Sequence, residues 1–270
     1  MITAMDVEEY LSYLESYTKD GKLYTNREEG KARKLSSLKS FYDYYFKKNL
    51  IRTNPPRQVD VPKIKNKNII RLDPNEIAQL LDEAESGEKL SGRQLASHEK
   101  TKVRDVAILT LLLGTGIRVS ECVGLNLEDV DFNNGAIRII RKGGNEALIY
   151  FGEEVSQALE AYMNGPRKKD EPAAGHEEAL FISLNKTRIT TRSVERLVKK
   201  YSRLVTTVKK ITPHKLRSTF GTALYQETGD IYLVADTLGH KDVNTTKKHY
   251  AAIDEHRRRM AANVVKLRES

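Results

Sequence analysis

The sequence predicts a mainly α-helical fold with a small β-sheet, divided into a short first domain and a larger second domain. Apolar side chains recur every three or four residues through most of the chain, which is the period of a helix that packs on one face. A strand pattern around a glycine turn occurs only at 136–151. Prolines and basic residues at 56–70 predict a linker between a domain at 1–55 and a domain at 71–270.

The composition is basic and excludes several classes of protein. The 270 residues include 46 Lys and Arg against 37 Asp and Glu, and the net charge of +9 favours a polyanionic partner, either nucleic acid or an anionic membrane surface. An apolar content of 39% is enough for a core at this length, so the chain is not disordered. The single cysteine, Cys122, excludes an intramolecular disulfide and a cysteine-based zinc cage.

The sequence predicts neither a membrane span nor a secretory signal. The longest apolar stretch, 106–117, is interrupted by Thr110 and Gly114 and is too short to cross a bilayer. The first residues, MITAMDVEEYL, are acidic where a secretory signal would be basic and then apolar. We therefore expect a soluble, cytoplasmic protein without a membrane partner.

Two helices are expected in the first domain, at about 5–16 and 28–48, each with an apolar stripe at helical spacing. Lysine and arginine cover the other faces of the second helix. Such a run is typical of a solvated surface, but next to a basic linker it favours contact with DNA. The linker is predicted because Pro55, Pro56 and Pro62 lie close together and block the continuation of a helix.

The second domain is predicted to consist of helices and one hairpin. A helix at about 97–113 ends at a Gly-Thr-Gly turn, and a short helix begins near Arg118. The hairpin at 136–151 turns at the sequence Lys-Gly-Gly-Asn. Charge and prolines predict a surface loop at 164–178. A helix is predicted to start at Pro74, and the remaining helices are predicted at about 153–163, 191–205, 213–227, 230–238, 243–251 and 254–267.

Two motifs place cationic side chains where they suit an anion. In G-T-G-I-R-V-S-E, Glu121 lies three residues after Arg118 and is expected to hold it in place. In T-P-H-K-L-R, Thr and Pro suit the start of a helix, so His214 and Arg217 share a face near its positive end. The alternatives are a surface ion pair for the first motif and a capping histidine for the second.

Two further motifs are weak by themselves. Leu238-Gly239-His240 predicts a helix that ends at glycine, with a histidine in the turn. The sequence T-T-K-K-H-Y predicts a short polar helix that ends at Tyr250, which is one of 13 tyrosines. A lone histidine more often packs or caps than catalyses. The order of the motifs along the chain therefore carries the argument.

That order resembles the tyrosine recombinase (phage integrase) family over roughly residues 70–252. The segments that carry the resemblance are G-T-G-I-R-V-S-E, T-P-H-K-L-R-S-T-F and L-G-H-K-D-V-N-T-T. The resemblance implies a two-domain clamp around double-stranded DNA, with a helical, SAM-like core-binding domain at 1–55 and a tyrosine-recombinase catalytic domain at 71–270. It implies a simple, Xer-like member, because the chain leaves no room for an arm-binding domain. Family members usually carry a further helix ahead of 2–16, so the first domain is expected to be either truncated or naturally reduced.

The resemblance also implies a catalytic site that needs no metal and no cofactor. It matches Tyr250 to the nucleophile, Arg118 and Arg217 to the two phosphate-binding arginines, and Glu121 to the carboxylate that supports Arg118. It matches His214 to the histidine of His-x-x-Arg, His240 to the position filled by His or Trp, and Lys142 to the hairpin lysine. Guanidinium groups suit the non-bridging oxygens of an anionic transition state. We expect His214 as the base for the tyrosine and Lys142 as the acid for the leaving 5′-oxygen.

The function implied is site-specific DNA recombination or integration, which serves either a mobile element or chromosome dimer resolution. One strand is cut through a 3′-phosphotyrosyl bond and rejoined to a partner strand without ATP. A homotetramer is expected on synapsed DNA sites, from a monomer or dimer before synapsis. The resemblance implies that the tail helix at 254–267 docks on a neighbouring protomer, and the alternative is that it packs on its own domain. Two alternatives stay open, a type IB topoisomerase-like nicking-closing enzyme and a DNA-binding regulator on a decayed recombinase fold.

Overall fold

The computed structural model describes residues 2–64, 70–141, 143–240 and 243, and the chain divides into two compact units, Met1–Asn68 and Ile69–Ser270. The described residues are mostly helical with two small sheets, which confirms the predicted fold class. Within these ranges, no helix is both long enough and apolar enough to cross a membrane.

The described residues of the first unit form three helices and a hairpin around a small apolar core. The core side chains are Val7, Leu11, Leu14, Leu35 and Val59. Thr3 begins the first helix with a capping box, because its side chain and that of Asp6 each accept a bond from the other's backbone N–H. In chain order the elements are α1 (Ala4–Tyr13), β1 (Ser16–Lys19), β2 (Lys22–Thr25), α2 (Glu28–Lys47) and α3 (Pro55–Gln58).

The hairpin of β1 and β2 corrects the prediction that strands occur only around 136–151. The two strands are antiparallel, with Tyr17 opposite Tyr24, and the rings of these tyrosines stack at 5.4 Å. Asp20 and Gly21 form the turn with φ of 51° and 70°, as two-residue hairpin turns require. The strands are short and mostly exposed, so no apolar alternation marks them. The Asp-Gly pair was the available signal.

Part of the stretch that we expected to be a linker belongs instead to the first unit. Pro55 and Pro56 are buried at the start of α3, where proline is tolerated because the first N–H groups of a helix have no intrahelical partner. Val59 then packs in the core, and its carbonyl accepts a hydrogen bond from Lys39 Nζ at 2.7 Å. The prolines therefore begin a short helix here, where the sequence predicted an extended chain.

The described residues of the second unit form seven α-helices and a three-stranded antiparallel sheet. The sheet order is β3-β4-β5, and Ile137 of β4 pairs with Ile149 of β5, which confirms the predicted hairpin. Apart from Val243, the helices predicted at 243–251 and 254–267 lie outside the described residues. The strands are β3 (Val130–Asp131), β4 (Ala136–Ile140) and β5 (Glu146–Tyr150), and the helices are α4 (Pro74–Ser86), α5 (Gly92–Thr115), α6 (Val119–Gly124), α7 (Glu153–Tyr162), α8 (Thr191–Val205), α9 (Pro213–Thr228) and α10 (Ile231–Leu238).

Helix α5 is the centre of the second unit and packs against α4, α7 and α9. Its second half is largely buried, since Ile108, Leu109 and Leu111 have no exposed surface. Burial of one such side chain contributes about 1.5–3 kcal/mol. The helix ends at Gly116, whose φ of 62° turns the chain out of the core. The core thus determines where the Arg118 motif begins.

A buried polar cluster connects α5 to α8. The Tyr201 hydroxyl donates to Asp105 Oδ2 at 3.0 Å and lies 3.0 Å from Nδ1 of the fully buried His98. Burial and the Asp105 carboxylate raise the pKa of Tyr201 far above its ordinary value. The phenol therefore keeps its proton, which suits a structural hydrogen bond and not a nucleophile.

Replacing Gly116 with alanine should lower the free energy of unfolding by about 2–5 kcal/mol. The left-handed conformation costs a residue with Cβ about 1–2 kcal/mol, and the new methyl would overlap the Phe220 ring, where overpacking costs about 1–3 kcal/mol. Gly175→Ala is the control, because Gly175 has φ of 83° and no described atom within 4 Å of the added methyl. Urea denaturation of both variants tests this. Equal losses would show that the contact with Phe220 is unimportant.

Candidate active site

Arg118 is held at the start of α6 by a buried carboxylate. Glu121 Oε2 accepts the Arg118 backbone N–H at 2.7 Å, and Glu121 Oε1 accepts from Nη1 of the same arginine at 2.7 Å. The Glu121 side chain is 4% exposed and that of Arg118 is 37% exposed. The pair is therefore not a surface ion pair, because its acidic member is withdrawn from water while the guanidinium remains accessible.

Arg217 is buried in α9 and joins the ends of two other helices. Its Nη1 donates to the carbonyl of Gly116 at 2.6 Å, and its Nη2 donates to the carbonyl of Leu238. Thr212 is the N-cap of α9 and Pro213 follows at the first helical position, as predicted. Capping is by the Thr212 backbone, whose carbonyl accepts from the Lys215 N–H at 2.7 Å, and not by its side chain. Arg217 thereby connects the ends of α5 and α10.

The turn after α10 carries His240 and is bonded to both motif arginines. Gly239 ends the helix with φ of 61°, and the His240 N–H donates back to the Ala235 carbonyl at 2.8 Å. The Gly239 carbonyl accepts from Arg118 Nη2 at 3.2 Å, one residue after the carbonyl that Arg217 binds. The Gly-His motif and both arginines, which are far apart in the chain, therefore meet at one helix end.

Arg141 is a third arginine at the same helix end, and the sequence analysis did not single it out. Both of its Nη atoms lie 3.3 Å from the Asp236 carbonyl, and Nη2 lies 3.1 Å from the Thr237 carbonyl. The carbonyls of residues 236–239 thus accept bonds from three guanidinium groups. The last carbonyls of a helix lack intrahelical partners and carry partial negative charge, which favours cations. The available signal was only that Arg141 precedes the hairpin lysine.

The charges around this helix end favour an anion. Three guanidinium groups meet there, and the Glu121 carboxylate is bonded to one of them, that of Arg118. Next to them His214 is exposed on α9, and its pKa is lowered by partial desolvation and then by the positive charges of Lys215, Arg217 and Arg118. His214 is therefore neutral at neutral pH and can accept a proton.

Five of the seven predicted site residues can be placed. The structure brings together the two arginines and the Gly-His turn through direct bonds, while Lys142 and Tyr250 lie outside the described residues. Among the residues that are described, no three His, Cys, Asp or Glu side chains lie close enough to hold a metal ion. The placed side chains are Arg118, Glu121, His214, Arg217 and His240.

Comparison with known proteins decides the family. Residues 70–257 match the model of the Phage integrase family. The chain belongs to the phage integrase family. This recombinase is 37% identical over 218 residues to "Tyrosine recombinase XerC" of Thermodesulfovibrio yellowstonii, a match that covers 80% of this chain and 69% of the relative. It is 29% identical over 259 residues to "Tyrosine recombinase XerD" of Oceanobacillus iheyensis, which covers 90% of this chain and 83% of the relative.

Solved structures share the fold of this recombinase. The crystal structure of XerA recombinase matches with a TM-score of 0.60 at 25% identity and covers 98% of this chain and 85% of that chain. The structure of XerH bound to a palindromic difH substrate matches with a TM-score of 0.72 at 21% identity and covers 97% of this chain and 72% of that chain. The prediction of a site-specific tyrosine recombinase of Xer-like type is confirmed.

Replacing Glu121 with glutamine should lower the free energy of unfolding by about 1–3 kcal/mol, because it removes the buried negative charge that holds Arg118. Glu128→Gln is the matched control, since Glu128 pairs with Arg138 through a side chain that is 68% exposed. That exposed pair should contribute at most about 1 kcal/mol to the free energy of unfolding. Urea denaturation gives both values, and a smaller loss for Glu121→Gln than for the control would contradict the buried anchor.

Proposed function

We propose that this recombinase cuts and rejoins DNA through Tyr250, on a phosphate bound by Arg118 and Arg217. The observation that carries the proposal is the meeting of these two arginines at the end of α10, next to His214. Tyr250 is assigned as the nucleophile from its place in the sequence, ten residues after His240. His240, in the turn that both arginines hold, completes the groups around the phosphate.

The two arginines suit the non-bridging oxygens of the scissile phosphate. A guanidinium group is always protonated in proteins and has five N–H donors. Bonds to Glu121 and Gly239 orient Arg118, and bonds to Gly116 and Leu238 orient Arg217. Positive charge that is fixed before DNA arrives stabilises the extra negative charge of the transition state, at about 2.7–4 kcal/mol for one such donor.

In the chemical step the Tyr250 oxygen attacks phosphorus, and the bond from phosphorus to the 5′-oxygen breaks. His214 accepts the phenolic proton, because a phenol with a pKa of about 10 is a poor nucleophile while protonated. The leaving 5′-oxygen takes the bonding electron pair and a proton from Lys142. A 3′-phosphotyrosyl bond and a 5′-hydroxyl result. Attack by the 5′-hydroxyl of a partner strand reverses the step, and the covalent link conserves the bond energy without ATP.

Double-stranded DNA is the partner that this chemistry requires. XerH bound to difH substrate and the Tn1549 transposon integrase in complex with circular intermediate DNA are structural neighbours of this chain. Residues 1–70 hold 14 Lys and Arg against 9 Asp and Glu, so the first unit adds positive charge beyond the catalytic unit. We infer that the two units grip the duplex as a clamp.

The active assembly is a homotetramer on two synapsed sites, formed from monomers or dimers on single sites. Exchange of both strands between two duplexes needs four cleavages, and the proposed site of one protomer makes one of them. The predicted tail helix at 254–267 carries Met260, Val264 and Leu267 at helical spacing and is suited to dock on a neighbouring protomer. Integration of a mobile element and resolution of chromosome dimers use the same step.

Tyr250→Phe should abolish covalent capture of DNA and leave DNA affinity and the free energy of unfolding unchanged, because it removes one hydroxyl oxygen and keeps the ring. The substrate is a nicked duplex built on a site selected for tight binding by the unaltered protein. The measurement is a denaturant-resistant protein–DNA adduct. Tyr232→Phe is the control, since Tyr232 is 71% exposed on α10 and should still form the adduct. An adduct that persists in Tyr250→Phe would overturn the assignment.

The lowered pKa of His214 predicts how cleavage depends on pH. His214 accepts a proton only when neutral, so the rate should rise with pH through its pKa, with a half-point below the ordinary value of about 6.5, and be level at neutral pH. The measurement is the single-turnover rate across this range at protein concentrations below Kd, which reports the pKa of the DNA-free protein. His214→Asn should lose the acidic limb and slow cleavage by about 10²–10⁴-fold. His176→Asn, in a loop of the same unit, should keep the profile. A half-point above the ordinary value would contradict the role of His214.

A further inference from the structure

We propose that Arg141 is a positioning residue that fixes the turn between β4 and β5 against the end of α10, and through that turn places the acid for the leaving group. This inference rests on the proposed function, in which Lys142, the next residue in the chain, protonates the 5′-oxygen. It assigns to Arg141 no contact with DNA.

The hairpin turn has few contacts of its own. Its backbone is closed by the Arg141 N–H, which donates to the Asn145 carbonyl at 2.8 Å, and by the Gly144 N–H, which donates to the Arg141 carbonyl at 3.0 Å. A methyl group added to Gly143 or Gly144 would meet no described atom within 4 Å. The glycines therefore pack against nothing in the described structure, and the anchor of the turn must be a side chain at its base.

The Arg141 side chain supplies that anchor. It crosses from the end of β4 to α10 and binds the carbonyls of Asp236 and Thr237. Its guanidinium lies against the Cα of Gly239, because a side chain at that position would overlap Nη1 and Cζ of Arg141. Glycine at 239 therefore provides room for the arginine as well as the φ of 61°.

Arg141 is half-buried, and its Nε atom is withdrawn from water at this contact. Its Nε is buried and has no hydrogen-bond partner among the described residues, and such an unpaired donor costs stability. A side chain that was simply solvated would turn this N–H to water. The Gly239 carbonyl at the same place accepts from Arg118, so Arg141 connects the hairpin to the turn that also holds the phosphate-binding arginine.

Loss of this anchor should affect one step. The pairs of β4 with β5 from Ala136 to Tyr150 keep the hairpin folded without Arg141. Arg118 and Arg217 keep their own bonds to α10. What changes is the placement of the turn, and a displacement of about 1 Å in a reacting group can cost about 10²-fold in rate.

The matched control is on the same hairpin. Arg138 is three residues before Arg141 and pairs with Glu128 and Asp129 on the sheet, so Arg138→Ala removes the same charge without touching α10. Arg141→Lys keeps the charge and loses the planar fork that spans two carbonyls. Positioning predicts a partial defect for Arg141→Lys.

The experiment compares two substrates in single-turnover cleavage. One has the ordinary 5′-oxygen at the scissile phosphate, which leaves poorly as an alkoxide because its conjugate alcohol is about as weak an acid as water. The other has sulfur there, which leaves as a thiolate of pKa about 8.5 and needs little protonation. Arg141→Ala should slow the ordinary substrate about 10²-fold and cut the sulfur substrate at nearly the unaltered rate. Arg138→Ala should cut both at nearly the unaltered rate.

Several outcomes would overturn the inference. Equal slowing of Arg141→Ala on both substrates would show a general structural or phosphate-binding role, and unchanged cleavage of both would show no role. Should Arg141→Ala unfold, Arg141→Lys takes its place, with sulfur rescue of its partial defect as the deciding result. Lys142→Ala separates failure of the proposed acid from failure of the positioning role of Arg141. If Lys142→Ala is not rescued by sulfur, the proposed acid is wrong, and if Lys142→Ala alone is rescued, only the role of Arg141 is wrong.

Discussion

The end of α10 is the interaction on which the candidate site depends. Three arginines reach it from separate parts of the chain, Arg118 after α5, Arg141 from the hairpin and Arg217 from α9. A helix leaves its last carbonyls without intrahelical partners, so residues 236–239 offer a row of acceptors with partial negative charge. Each guanidinium that binds there is fixed relative to the other two. His240 follows directly in the same turn.

This arrangement gathers more positive than negative charge. Arg217 is buried, and a buried charge needs compensation, which its bonds to the Gly116 and Leu238 carbonyls provide in part. Glu121 compensates Arg118. Under the proposed function this positive charge binds the scissile phosphate, and it is held in place before the phosphate arrives, which is the condition for strong transition-state stabilisation. Gathering like charges costs stability, and the apolar core around α5 provides the stability that offsets this cost.

Local features of this chain are predictable and contacts between distant segments are not. The apolar period and the caps predicted α8 and α9 within a residue or so, and spacing alone paired Glu121 with Arg118. The groups that accept bonds from the arginines are backbone carbonyls. Every residue has one, so residue types in the sequence do not identify them. Arg141 was missed for that reason. The β1–β2 hairpin was missed because its strands are exposed and show no apolar alternation. The Asp20-Gly21 pair, which favours a two-residue hairpin turn, was the signal that could have predicted it.

In the proposed mechanism Arg118 acts on the charge of the non-bridging oxygens. A duplex in which a methyl group replaces one non-bridging oxygen of the scissile phosphate lacks that charge and tests the claim directly. The measurement is the single-turnover cleavage rate of Arg118→Ala relative to the unaltered protein on this duplex and on the ordinary one. We expect a defect of about 10²–10³-fold on the ordinary phosphate and a much smaller one on the neutral methylated phosphate. An equal defect on both substrates would contradict it.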